Sequence, residues 1–233
     1  MAEFVRELAK KTEEDTNQAV DFLKTKLDEF NEMRSDFKEG IDLVKDSKDR
    51  LREFKERAEN NDLSGISTGI EELDNITNGW QREGDFASLI ARTSQGKTWL
   101  LLFFLVQAWK QGERVLLYNG EMPSNIIGYR FDTLNKHFNN KGLTTGDREI
   151  EDDYEEYIEE LSKGENPFIM VKPKDIKGSL TPSKLEQLIE KHQPTIVGID
   201  QISLMKPDNE YKGMSTPAKY ESITSDLYLI SEK

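Results

Sequence analysis

Apolar positions follow two different rhythms along this chain. In the first sixty residues, Leu23, Leu27, Phe30, Phe37, Ile41, Val44, Leu51 and Ala58 fall on a seam of alternating four- and three-residue steps, interrupted by Arg34, Lys48 and Lys55. That spacing predicts an amphipathic helix of coiled-coil type. The segment holds no proline and one glycine, Gly40, which is placed to bend the helix or split it into a hairpin. It either joins subunits, docks on the domain that follows, or is simply a helical packing face. Residues 59–65 then read as a linker, and glycines at 65, 69, 79 and 84 punctuate a stretch with a short helix near Glu71–Thr77. Beyond residue 85 the apolar residues come in short continuous runs that alternate with helical patterns. Strands are predicted near 86–91, 114–119, 167–172 and 195–200, and helices near 97–111, 123–139, 151–163, 181–192 and 217–232. Thr181 and Pro182 form a good helix start, as cap and first residue. Such alternation predicts an α/β domain with a parallel sheet covered on both faces. The expected division is 1–60 helical and 61–233 α/β.

The stretch from Ala91 to Thr98, Ala-Arg-Thr-Ser-Gln-Gly-Lys-Thr, sits between a predicted strand and a predicted helix. That is the setting of a P-loop. Backbone N–H groups of Thr93, Ser94, Gln95 and Gly96 would face phosphate oxygens, aided by the positive end of the new helix. Lys97 would reach the outer phosphates, and the Thr98 hydroxyl would hold Mg²⁺. The first position is alanine where such loops usually carry glycine. Two further apolar runs end in carboxylates. The run at 195–200 ends in Asp200, where ligands of parallel sheets gather, and Asp200 is placed to contact a metal through water. It also reads as an ordinary strand-end aspartate. The run at 114–119 leads to Glu121, which either polarises an attacking water or belongs to the first turn of the next helix.

Composition narrows the field. The 233 residues suffice for one α/β domain with an appendage. There is no cysteine, so disulfides and thiolate metal sites are excluded. The two histidines, His137 and His192, lie in polar surroundings near predicted helix ends, which argues against a metal role. No apolar stretch reaches membrane-spanning length and no signal peptide is visible, so no membrane partner and a cytoplasmic location are expected. The formal charge of −13 argues against a basic surface that grips nucleic acid unaided. The acidic stretch from Asp147 to Glu160 reads as a solvated helix face.

The order of motifs resembles the ATPase domain of the DnaB-like replicative DNA helicases, on a RecA-like fold. Five stretches carry the resemblance: Ser67–Asp74 with Thr77-Asn78-Gly79 and Gly84-Asp85; the loop from Ala91 to Thr98, since that family's loop characteristically opens with Ala-Arg; Gly120-Glu121-Met122-Pro123 with Arg130 downstream; the strand 168–171 before Leu180-Thr181-Pro182; and Ile199 to Met205. The resemblance covers residues from about 64 to the end. It implies that Lys97 and Thr98 bind ATP and Mg²⁺, that Asp200 supports the metal, that Glu121 activates water, and that Arg130 belongs to the nucleotide site or has a structural role. It implies ATP hydrolysis coupled to movement on single-stranded DNA, self-association into a hexameric ring, a primase or helicase loader as partner, and a bacterial or phage-infected host cell. Ser203 stands where the family has a glutamine that couples nucleotide state to the DNA-binding centre, and serine is shorter.

In the RecA-like fold a further strand lies between the P-loop strand and the strand ending at Asp200, and the chain stops before supplying it. The expectation is an amino-terminal part of a longer helicase, with an incomplete sheet, poorly cooperative unfolding and little ATP turnover. Direct pairing of the two flanking strands in a compacted sheet is the alternative. Two other readings remain open: a nucleotide-binding or assembly fragment without unwinding activity, and another RecA-like ATPase.

Overall fold

A computed structural model describes Val20, Leu23 and Lys24 and residues 42–60, 63, 65–82, 84–210 and 213–232. Gly40 and most of the predicted amino-terminal seam lie outside the described residues. The chain divides into two compact units, Met1–Asn60 and Asn61–Lys233. In the first, helix α1 (Ser47–Asn60) exposes Leu51 and Phe54.

The second unit opens with an antiparallel bridge between Ile66 and Trp80 around a short helix α2 (Glu71–Thr77). Asp74 ties this piece together. Its buried carboxylate accepts hydrogen bonds from the Ser67 hydroxyl at 2.5 Å and the Thr68 N–H at 2.7 Å. Trp80 then meets Phe104 edge to face at 5.3 Å, fastening the piece to helix α3 (Lys97–Lys110).

The sheet has three parallel strands, β1 (Val115–Asn119), β2 (Phe168–Val171) and β3 (Ile196–Asp200), in the order β2-β1-β3. Tyr118 pairs with Val171 on one side and Ile199 on the other. All five residues of β1 are buried, as expected of a central strand covered on both faces. Alternation sends Val115 and Leu117 toward Leu102 and Leu105 of α3 and Ile127 of helix α4 (Ser124–Lys136). Leu116 and Tyr118 point the other way, into a core with Leu185 of helix α7 (Pro182–His192) and with Ile223 and Leu227 of helix α8 (Thr216–Ser231). Thr181 caps α7 and Pro182 opens it, as the sequence predicts. Helices α5 (Asn140–Thr145) and α6 (Glu151–Leu161) lie in the connection from α4 to β2. The acidic helix α6 turns Tyr157 inward. Its hydroxyl and that of Tyr154 both donate to the buried Asp132 carboxylate of α4, at 3.0 and 2.8 Å.

One predicted strand does not form. Residues 86–91 form no regular element and pair with no strand, and residues 86–90 make no hydrogen bond among the described residues. Nor do they pair with β3, so the compacted-sheet alternative is not what the chain adopts. The apolar run satisfies the pattern for a strand, but pairing needs a neighbour, and β3 keeps its distance across an open groove.

A bidentate ion pair anchors the approach to this run. The Arg82 guanidinium donates to both oxygens of Glu113, at 2.6 and 3.0 Å, beside the start of β1. Arg82 holds the buried Glu113 carboxyl below the ordinary carboxylate range, and burial opposes that shift. A depressed carboxylate pKa stabilises the fold above the unfolded-state value and loses its contribution as pH falls through the folded value. We expect Arg82→Ala to cost about 1–2 kcal/mol near neutral pH, reduced because Arg82 itself is largely exposed. The gap between parent and variant should close as pH drops below about 4. Urea unfolding across pH 3–7 measures it, and a gap that stayed constant would assign the cost to lost packing rather than charge.

Candidate functional site

The loop between residue 91 and α3 turns on two left-handed residues, Ser94 (φ 63°) and Gly96 (φ 87°). A Cβ on Gly96 would meet nothing within 4 Å, so backbone conformation, not space, selects glycine there. Gly96 is the N-cap of α3 and no side chain caps the helix. The first N–H groups of α3 are therefore open to an anion, with the helix dipole behind them. Lys97 folds back over the loop, its Nζ donating to the Ala91 carbonyl at 2.6 Å and the Arg92 carbonyl at 3.3 Å. Gln95 accepts from the Arg92 N–H at 3.1 Å. Thr93, Ser94, Gln95 and Gly96 are all exposed.

The strand tips lie beside this loop. The Thr98 hydroxyl donates to Asp200 Oδ2 at 2.8 Å, and Asp200 is buried. The Asp200 carbonyl accepts from the Gly120 N–H at 2.9 Å, fastening the ends of β1 and β3 to each other. The peptide between Asp200 and Gln201 is cis. Gln201 Nε2 donates to Glu121 Oε1 at 3.1 Å. A chain of direct contacts thus runs from Thr98 through Asp200 and its neighbour Gln201 to Glu121. Glu121 lies in the turn between β1 and α4, two residues before the N-cap Pro123, rather than in the first helical turn.

What holds Glu121 there is Asn119, a fully buried side chain at the end of β1. Its Oδ1 accepts from the N–H groups of Glu121 at 3.2 Å and Met122 at 3.0 Å, and its Nδ2 donates to the Met122 carbonyl at 2.8 Å. Lys172, just past β2, donates to the same carbonyl at 2.8 Å. The sequence reading missed both residues, and missed the contact from Gln201. Asparagine just before Gly-Glu is a local signal for such a turn, because its side chain bonds the backbone two residues on. Lys172 gives no local signal at all. Ser203 sits in a single 3-10 turn (Ile202–Leu204) and is exposed, whereas Gln201, two residues earlier, reaches the acidic group.

Arg130 of α4 completes the group. Its guanidinium stacks on the Trp99 ring at 4.9 Å, one residue beyond Thr98. Its Nε is buried and makes no hydrogen bond. Burial lowers its pKa from the ordinary value, and the negative charge of Asp200 acts in the opposite direction. A buried guanidinium nitrogen without an acceptor fits a site that receives an anion. A hydroxyl and a carboxylate within hydrogen-bond reach of each other fit Mg²⁺, which takes one or two protein oxygens and fills its sphere with water and phosphate. Among the described residues there is no cluster of three or more His, Asp or Glu suited to a metal held by protein alone.

Known proteins resemble this chain in sequence and fold. Residues 65–232 match the DnaB-like helicase C terminal domain. The replicative DNA helicase DnaB of Mycoplasma genitalium is 29% identical over 173 residues, covering 71% of this chain and 36% of that protein. DnaB of Geobacillus stearothermophilus is 32% identical over 117 residues, covering 50% of this chain and 25% of its own length. The chain therefore spans about a third or less of the curated relatives it matches. Among solved structures, a DnaB-like replicative helicase studied with its primase interactions superposes with a TM-score of 0.61 at 21% identity, covering 98% of this chain and 54% of that one. The ATPase domain of G40P gives a TM-score of 0.66 at 22% identity, covering 83% and 68%. These likenesses show the RecA-like α/β fold, in which the described residues form a three-stranded parallel sheet. With the family match spanning most of its length, the chain belongs to the DnaB-like helicase C-terminal domain family.

Proposed function

We propose that residues 61–233 form the nucleotide-binding part of an ATP-driven replicative DNA helicase motor, with residues 1–60 as a helical segment that joins subunits. The observation that carries this reading is the contact chain from Thr98 to Asp200 and from Gln201 to Glu121, beside the uncapped start of α3. Thr98 and Asp200 would hold Mg²⁺ between them and the phosphates, and the metal would neutralise charge that develops on the phosphoryl oxygens. Thr93 to Gly96 offer backbone N–H groups to the triphosphate. Lys97 swings from its two loop carbonyls to the outer phosphate oxygens, and Arg130 adds a second cation from α4. Glu121 accepts a hydrogen bond from water and so aims the water oxygen's lone pair at the outer phosphorus. Asn119 and Lys172 fix the turn that sets this aim. Gln201 lies between the metal-side carboxylate and Glu121, so it is placed to sense which nucleotide is present.

Movement on single-stranded DNA, assembly into a hexameric ring, a primase or loader partner and a cytoplasmic location belong to the same proposal, supported by the family match. No helix of the described residues is long and apolar enough to cross a membrane. With a formal charge of −13, strand binding falls to a local basic groove or one built by several subunits.

Titration of fluorescent ATP with Mg²⁺ tests the site. Lys97→Ala removes a charge-assisted contact and should weaken binding about tenfold to hundredfold. Equal affinity for parent and variant would remove the loop from the proposal.

A further inference from the structure

Trp99 and Arg130 form a pair outside the contact chain from Thr98 to Glu121. The guanidinium carbon lies 4.9 Å from the centre of the Trp99 ring. Trp99 is half-buried and directly follows Thr98 in the first turn of α3. Arg130 sits midway along α4. The two helix faces dictate the meeting. Trp99 lies one turn before Leu102 and Arg130 one turn after Ile127, and Leu102 and Ile127 share one core cluster.

The ring is what holds Arg130. Among the described residues Arg130 makes no hydrogen bond and no ion pair. Asp200 is near enough for its charge to act on the guanidinium, yet Asp200 Oδ2 accepts from the Thr98 hydroxyl instead. The negative face of an indole attracts a flat guanidinium without using its N–H groups. A carboxylate in the same place would cancel the charge and occupy the donors. Stacking therefore keeps the cation in position while its edge stays open to another acceptor.

The ring also ties Arg130 to the loop. Gly96, Lys97, Thr98 and Trp99 are consecutive, so one side chain references the cation to the uncapped N–H groups of α3. An aliphatic residue at 99 would fill space without attracting a cation. The unpaired guanidinium would then be drawn toward water or toward Asp200.

We propose that Trp99 is a positioning residue for nucleotide binding: its ring holds the Arg130 guanidinium beside the start of α3, with Nε left unpaired for a phosphate oxygen of the nucleotide. The inference rests on the nucleotide reading of this site and adds a residue to it. A stack that served packing alone would join α3 to α4 and leave nucleotide affinity unchanged.

Fluorescent ATP with Mg²⁺, titrated into the full chain, tests this through a double-mutant cycle. Trp99→Leu keeps an apolar side chain of good helix propensity and should weaken binding about three- to tenfold. Trp99→Phe keeps a ring face and should recover most of that loss. Arg130→Lys keeps the charge without the flat stack and should weaken binding by a similar factor. In an Arg130→Ala background, Trp99→Leu should cost nothing further, because the group it positions is gone. Three results would overturn the proposal: parental affinity in Trp99→Leu; the same loss with and without Arg130, which means that the ring acts on its own; or parental affinity in Arg130→Lys. Lys97→Ala separates this inference from the reading beneath it. If Lys97→Ala weakens binding and Trp99→Leu does not, the positioning role alone fails; if Lys97→Ala binds like the parent, both fall.

Discussion

Glu121→Gln is expected to lower ATP turnover about 10²- to 10⁴-fold while leaving MgATP affinity within about twofold. Glutamine preserves the shape of the side chain and its contact with Gln201, but it has no negative charge with which to polarise water. Glu121 sits in a turn whose backbone is fixed by Asn119, so the substitution leaves the surrounding hydrogen bonds intact. The measurement is a single-turnover assay with protein in excess over ATP, so that a slow parent rate can still be read. Undiminished turnover would return Glu121 to a structural part in the turn before α4. A fall in affinity that matched the fall in rate would instead place Glu121 in ground-state binding.

Leu102→Ala should cost about 3–5 kcal/mol, the range for emptying a fully buried leucine site. Leu102 has no exposed surface and packs with Leu105, Val115, Leu117 and Ile127. Against a total stability of about 5–15 kcal/mol this is a large fraction. The melting temperature should drop by about 10 °C for a domain of this size. Exposed Ile76, replaced by alanine, should change stability by less than about 0.5 kcal/mol. Calorimetry on the three proteins decides it, and melts that coincide would mean that α3 does not pack on the sheet as described. The site would feel this loss as well, because α3 begins with Lys97 and Thr98.

Much of this architecture was legible in the sequence because its signals are local. Continuous apolar runs gave β1, β2 and β3, and the Thr181-Pro182 pair gave the start of α7. The loop from Ala91 to Thr98, Asp200 and Glu121 were singled out from their positions at the ends of such runs, and contacts from Thr98 to Asp200 and from Gln201 to Glu121 link them. The strand at 86–91 was misread because its pattern describes burial, and burial needs a partner that a window of sequence does not contain. The small helix α5 escaped because six residues show too little periodicity. Asn119 and Gln201 lay inside motifs already singled out, but their roles depend on contacts made after folding. Gln201 meets a residue eighty positions away, and no spacing rule reaches that far.

The opening residue of the loop from Ala91 to Thr98 contributes its main chain. Lys97 rests on the Ala91 carbonyl, and Ala91 is not among the residues with positive φ. Any small L-amino acid can present that oxygen, whereas Gly96 must bend the backbone in a direction that penalises side chains. Searches that demand glycine at both ends of the loop will therefore pass over chains built like this one. A more discriminating signature would keep the second glycine with its lysine and threonine, relax the first position to any small residue, and require an aspartate at the end of a later apolar run.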